Sequence, residues 1–145
     1  MPIKYTLSTN PSLRSPSIDE ELNFLRASGC LYYEIQGEPT RKIKGQPTRK
    51  IKGDFVYFIR AGQMLARSRI TDCRRMDASE MGGTYTGVQI EKSCWRIEIK
   101  NMELAEWPIQ HKGFQGFRYV TAKELPAFER AFKVRRRRNR TQILY

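Results

Sequence analysis

The sequence predicts an α+β fold: a small mixed or antiparallel β-barrel with a helix near each end. Two S/T-x-x-E capping boxes, Ser17 with Glu20 and Thr121 with Glu124, each open a segment whose apolar residues recur at helical spacing. Between them the period changes to that of strands, broken by turns every 8–12 residues or so, the pattern of a curved sheet or a small barrel, of which the barrel is favoured. A chain of 145 residues that is 39% hydrophobic and 11% aromatic is long and apolar enough to bury one core.

Residues 8–16, rich in Ser, Pro and Asn, read as an irregular lead-in. The first helix then spans 17–28, with Ile18, Leu22 and Leu25 on one face and Gly29 as its stop. Cys30 to Ile35 is rich in β-formers. Asp54–Arg60 is apolar on both faces and reads as a central strand. Ala61-Gly62 makes a tight turn into a second strand, Gln63–Thr71. Along that strand Met64, Ala66, Ser68 and Ile70 form the core side, while Leu65, Arg67, Arg69 and Thr71 share an outer face. Gly82-Gly83 breaks the chain again. Thr84–Ile90 and Ser93–Asn101 are two more strands, the second alternating Trp95, Ile97 and Ile99 with Cys94, Arg96, Glu98 and Lys100. Trp107-Pro108 opens a loop running through Phe117, and Arg118–Val120 is a short strand. The last helix buries Leu125, Phe128 and Phe132, with Pro126 tolerated only in its first turn. Five to seven strands are expected in all. A single domain covers 1–134, followed by a basic tail, 135–145.

Charge is concentrated in two places. Glu38-Pro-Thr-Arg-Lys-Ile-Lys-Gly45 is repeated as Gln46-Pro-Thr-Arg-Lys-Ile-Lys-Gly53, a near-perfect tandem duplication. It carries Arg41, Lys42, Lys44, Arg49, Lys50 and Lys52. The tail carries Arg135, Arg136, Arg137, Arg138 and Arg140. Setting those eleven aside from 27 Lys+Arg leaves 16 against 15 Asp+Glu, so two local segments build nearly all of the net +12. Lys and Arg at this density suit a polyanionic partner, nucleic acid above all. Arg67, Arg69, Arg74 and Arg75 would add cations held on or beside a sheet.

The segment Lys52-Gly-Asp-Phe-Val-Tyr-Phe-Ile59, followed by Leu65-Ala-Arg-Ser-Arg-Ile70, resembles the PUA-like superfamily, in whose ASCH and EVE branches a "k-G-D-x-V-x-F" strand leads into an "x-v-A-x-a-x-V" strand. The order of elements over about 17–132 is similar too. The resemblance implies a small β-barrel that binds RNA or a modified base in DNA or RNA. Some ASCH-type members are hydrolases, so a hydrolase acting on RNA or a modified nucleoside is the alternative activity. Where that branch has "G-x-K-x-x-E-x-R", this chain has Gly37-Glu-Pro-Thr-Arg-Lys-Ile-Lys44, which keeps the glycine and the basic character but not the glutamate.

Aromatic faces supply the second ingredient of single-strand binding, because bases stack on them. Tyr85, Trp107, Phe114 and Phe117 fall at loop or loop-edge positions and are the base-pocket candidates, with Gly113 and Gly116 allowing close backbone approach. Catalytic constellations are thin. Thr40 or Thr48, Lys42 or Lys50, and Glu98 or Glu34 are the residues from which one would be assembled. Cys30, Cys73 and Cys94 lack metal-ligand spacing and read as free, buried thiols, and His111 is the only histidine, so no metal and no cofactor are expected. No run approaches the roughly 18 apolar residues of a membrane span; the expectation is a cytoplasmic protein without a membrane partner. An acidic protein docking on the arginine tail is the third reading. Oligomeric state is not encoded in these patterns.

Overall fold

The computed structural model describes residues 2–6, 17–35, 51–76, 94–113 and 116–132. They form eight strands and two helices: β1 (Ile3–Thr6), α1 (Ile18–Ser28), β2 (Leu31–Ile35), β3 (Phe55–Arg60), β4 (Gln63–Arg69), β5 (Asp72–Met76), β6 (Cys94–Ile99), β7 (Glu103–Gln110) and β8 (Gly116–Tyr119), then α2 over 125–132. Among these residues no helix is long and apolar enough to cross a membrane.

The first helix forms where its caps place it. The Ser17 side chain accepts the Glu20 N–H at 3.2 Å, Asp19, Glu20 and Glu21 face the positive end of the helix dipole, and Gly29, at φ 85°, donates its N–H to the Leu25 carbonyl. At the other end the second box closes in both directions: Glu124 N–H to Thr121 Oγ1 at 3.2 Å and Thr121 N–H to Glu124 Oε1 at 3.0 Å.

Five strands form one sheet in the order β7-β4-β3-β1-β8, and three form a second, β2-β6-β5. In the larger sheet β1 runs parallel to β3 and antiparallel to β8; the other pairings are antiparallel. The chain passes from one sheet to the other between β4 and β5. Ile70 still donates to Asp54 in the first, and Thr71 already donates to Glu98 in the second, both at 2.9 Å.

Two apolar clusters follow from this arrangement. One face of the large sheet (Ile3, Tyr5, Val56, Phe58, Ala66, Ile70) packs against the small sheet (Leu31, Tyr33, Ile97, Ile99) and Leu25 of α1. The opposite face (Tyr57, Ile59, Met64) packs against Phe128, Ala131 and Phe132 of α2. Both faces of β3 are therefore covered, which its unbroken run of buried residues from Val56 to Arg60 requires.

That double covering replaces the expected barrel. A small barrel strand has one face inside and one outside, whereas β3 sits between two packed layers. Among the described strands no closed barrel forms: β7 and β8 edge one sheet, β2 and β5 the other. Three strands were also not anticipated: β5, which carries Arg74 and Arg75 where a loop after strand 63–71 is expected, β1 and β7. β1 is a four-residue strand at the heart of the large sheet, too short for its period to stand out. β7 runs through Trp107-Pro108, where a loop is expected to open, and starts at Glu103 in a stretch given no element; on an edge strand the missing N–H of Pro108 is tolerated. The expected strand 84–90 lies outside the described residues.

Candidate nucleic-acid interface

The strand expected to present arginines outward does so at one position and not at the other. Arg67, directly opposite Tyr57 on β3, is buried, because α2 covers that face of the sheet. Its guanidinium carbon stands 4.4 Å from the centre of the Phe55 ring and 4.3 Å from that of Phe132, and Nε donates to Glu103 Oε2 at 3.0 Å. Alternation sets Arg67 on the face opposite Ala66, as found, but the register shift at Leu65 puts Met64 on the face of Arg67 and not with Ala66, and the pattern does not show the helix lying over that face. Arg67 is thus a packed, neutralised core cation rather than an outer-face one.

Arg69 is two residues further along the same face and is exposed. Its guanidinium lies over the Phe55 ring at 4.2 Å, and Nη1 donates to the Gly53 carbonyl at 2.8 Å. Those contacts place it at the point where the basic repeat rejoins the fold. Ile51, in the second repeat unit, is buried in the main cluster, the Gly53 N–H donates to the Ile70 carbonyl at 2.8 Å, and Lys52 between them is exposed. The strand pairing Phe55↔Arg69 brings the end of the repeat and Arg69 to one edge of the fold.

Most other cations of the sheets are matched by acids. Arg60 pairs with Glu21, Lys4 with Glu124, and Arg74 with Asp72 at 3.3 Å across an exposed surface. For Arg69 no ion pair is formed among the described residues. Arg75 is exposed at the end of β5. Arg41, Lys42, Lys44, Arg49, Lys50 and Arg135, Arg136, Arg137, Arg138 and Arg140 lie outside the described residues, as do Thr40 and Thr48.

The aromatic candidates divide as well. Trp107 is 50% exposed. It rides on a bulge in β7, where the pairing with β4 jumps from Ala66↔Leu104 to Met64↔Ile109 and leaves 105–108 opposite Leu65 alone. Phe117 is not in a loop but in β8, partly buried against the main cluster and edge-on to Tyr119 at 6.2 Å. Its role is packing. Tyr85 and Phe114 lie outside the described residues.

Glu98, the one described member of the weak catalytic set besides Glu34, has both oxygens engaged: Thr71 Oγ1 donates to Oε1 at 2.7 Å and the Tyr32 hydroxyl to Oε2 at 2.8 Å. Burial, and then the Glu98 carboxylate, push the Tyr32 phenol well above its ordinary value, so it keeps its proton. The arrangement is a cross-strand tie, since Tyr32 and Glu98 are directly paired on β2 and β6.

Two buried polar groups escaped sequence reasoning. Lys4 Nζ meets Glu124 Oε1 at 2.7 Å and His111 Nε2 at 2.9 Å, joining three elements across more than a hundred residues of chain. His111 Nδ1 lies 2.7 Å from the Lys112 carbonyl, and Nε2 stands 3.4 Å from Glu124 Oε2. Burial opposes the charge on Glu124, but the Lys4 and Thr121 hydrogen bonds and the Lys4 and His111 charges outweigh it and hold the carboxyl below its ordinary value. Beside this joint an open polar depression of about 430 Å³ is lined by Ala61, Gly62, Gln63, Gln110, His111 and Lys112. On the small sheet, Arg96 is fully buried, with Nη1 donating to the Met76 carbonyl at 2.9 Å. Single-residue alternation marks such positions as facing away from the core and cannot register what covers them.

Comparison with family models, with curated proteins and with solved structures found no match to this chain.

Proposed function

We propose that this protein binds nucleic acid, RNA in preference to DNA, through the edge where the basic repeat meets the β3–β4 hairpin. The observation that carries this is Arg69: exposed, held in place by Phe55 and Gly53, without an acidic partner among the described residues, and adjacent to Lys52. A fixed cation left unneutralised in a fold that pairs Arg60, Arg67 and Lys4 with carboxylates favours an external anion as its partner. In sequence, the repeat that ends at Gly53 and the arginine tail carry further cations. Phosphate contacts of this kind supply affinity and register.

A PUA-like assignment is part of the proposal. The β3–β4 hairpin that carries the Gly53-Asp54 motif, preceded by a helix and a strand and followed by further strands and α2, supports it. Mapping photo-crosslinks between the intact chain and a single-stranded RNA tests the interface. Adducts concentrated in peptides covering residues 41–75 are expected. Adducts spread over the chain without preference, or confined to the face bearing α2, would refute the placement.

A further inference from the structure

We infer that Arg69 is a stacking platform for a nucleobase, and not only a charge for a phosphate. The inference rests on the nucleic-acid reading and specifies which part of the ligand this residue takes. Arg67 and Arg69 stand 4.4 and 4.2 Å from the centre of one ring, that of Phe55. They are two residues apart on β4, and Phe55 faces Arg69 from β3, so both guanidinium groups reach the same ring. Arg67 is backed in turn by Phe132 at 4.3 Å. The result is a column, Phe132, Arg67, Phe55, Arg69, in which aromatic and cation alternate from the interior to the surface.

Arg67 lies over two rings, Phe55 and Phe132. Arg69 has one, and the column ends at an exposed residue. The hydrogen bond from Nη1 to the Gly53 carbonyl fixes the plane before any ligand arrives, so little side-chain freedom remains to be lost on binding. A flat, delocalised cation prepared in this way matches a flat π-system, and bases of single-stranded nucleic acid stack on guanidinium planes as they do on aromatic rings. The exposed Lys52, next in sequence to the Gly53 that Arg69 bonds, favours a π-system that arrives on a phosphate chain. Single-stranded nucleic acid meets both requirements, whereas a duplex keeps its base faces stacked internally.

The test compares the full-length chain with Arg69→Lys and Arg69→Ala, each binding a short unstructured RNA and the same RNA with abasic sites. Because Arg69 is exposed, both variants should stay folded and melt only slightly below the parent, which a thermal scan verifies. Stacking predicts that Arg69→Lys, which keeps the charge and loses the plane, binds roughly tenfold more weakly, about as weakly as Arg69→Ala. It also predicts that abasic RNA weakens the parent but scarcely changes Arg69→Lys. If Arg69→Lys binds as the parent does while Arg69→Ala does not, Arg69 serves only as a point charge and the stacking inference is wrong. If all three bind equally, Arg69 lies outside the interface and the inference also falls. Failure of the parent itself to bind any single strand would overturn the underlying functional reading, an outcome distinct from the other two.

Discussion

Glu21 and Arg60 meet in a two-point ion pair inside the fold, Oε1 to Nη2 at 3.0 Å and Oε2 to Nε at 3.3 Å, with the glutamate side chain 2% exposed. The pair fastens α1 to the end of β3. Nη1 of the same guanidinium donates to the Ile59 carbonyl at 2.9 Å and the Tyr5 carbonyl at 3.3 Å, so one side chain ties the helix to β3 and β1 together. The neighbouring Tyr33 phenol is raised by burial and then by the Glu21 charge, and keeps its proton.

Removing one partner of such a pair leaves the other buried and uncompensated. Glu21→Ala should therefore destabilise the protein by about 3–5 kcal/mol. The double replacement Glu21→Leu with Arg60→Met should lose less than the two single changes added together. Urea unfolding of the four proteins checks this, and strict additivity would count against the pair acting as a unit.

Arg67 provides a test of the face correction. Lysine cannot reproduce a planar group between two rings, so Arg67→Lys should lower stability by roughly 1–3 kcal/mol despite keeping the charge. Its salt dependence of RNA binding should match the parent's, because the residue is buried. A lowered slope with unchanged stability would restore Arg67 to the surface.

Glu124 predicts a pH dependence. Its carboxyl is held below the ordinary value in the folded protein, so its contribution to stability is full above the unfolded value. That contribution disappears as the pH falls through the lower folded value. Glu124→Gln should be less stable than the parent at neutral pH, and the difference should shrink on acidification. Unfolding midpoints measured from neutral to strongly acidic pH will show whether the two curves converge.

The turn between β3 and β4 has positive φ at both central residues, 50° at Ala61 and 76° at Gly62. Alanine is strained there and asparagine is favoured before glycine in this kind of turn. Ala61→Asn should stabilise the protein by roughly 0.5–1 kcal/mol, seen as a higher melting temperature.

The sequence made the local features legible. Ser17 and Thr121 announced their helices through side-chain caps, Gly29 ended α1, and the apolar faces of β3 marked it as central. What it did not show depends on partners distant in the chain. Alternation along β4 separates Arg67 from Ala66 but says nothing of Phe132 lying over the arginine. Lys4, His111 and Glu124 each look ordinary alone and become a joint only when β1, the end of β7 and the cap of α2 converge. Pro108 was read as a break because a single sequence does not distinguish an edge strand from a loop. The Arg69 candidate was legible as an outward arginine, whereas its stacking on Phe55 required the β3–β4 register.

The central claim is that an unneutralised basic edge binds nucleic acid. It is tested most directly by measuring the affinity of the intact chain for an unstructured single-stranded RNA across a series of salt concentrations. Each phosphate neutralised on a single strand contributes about −0.7 to the slope of log K against log salt. Engagement of several cations of the repeat, Arg69 and the tail predicts a slope steeper than about −2. A slope near zero, or no binding at low salt, would contradict the account.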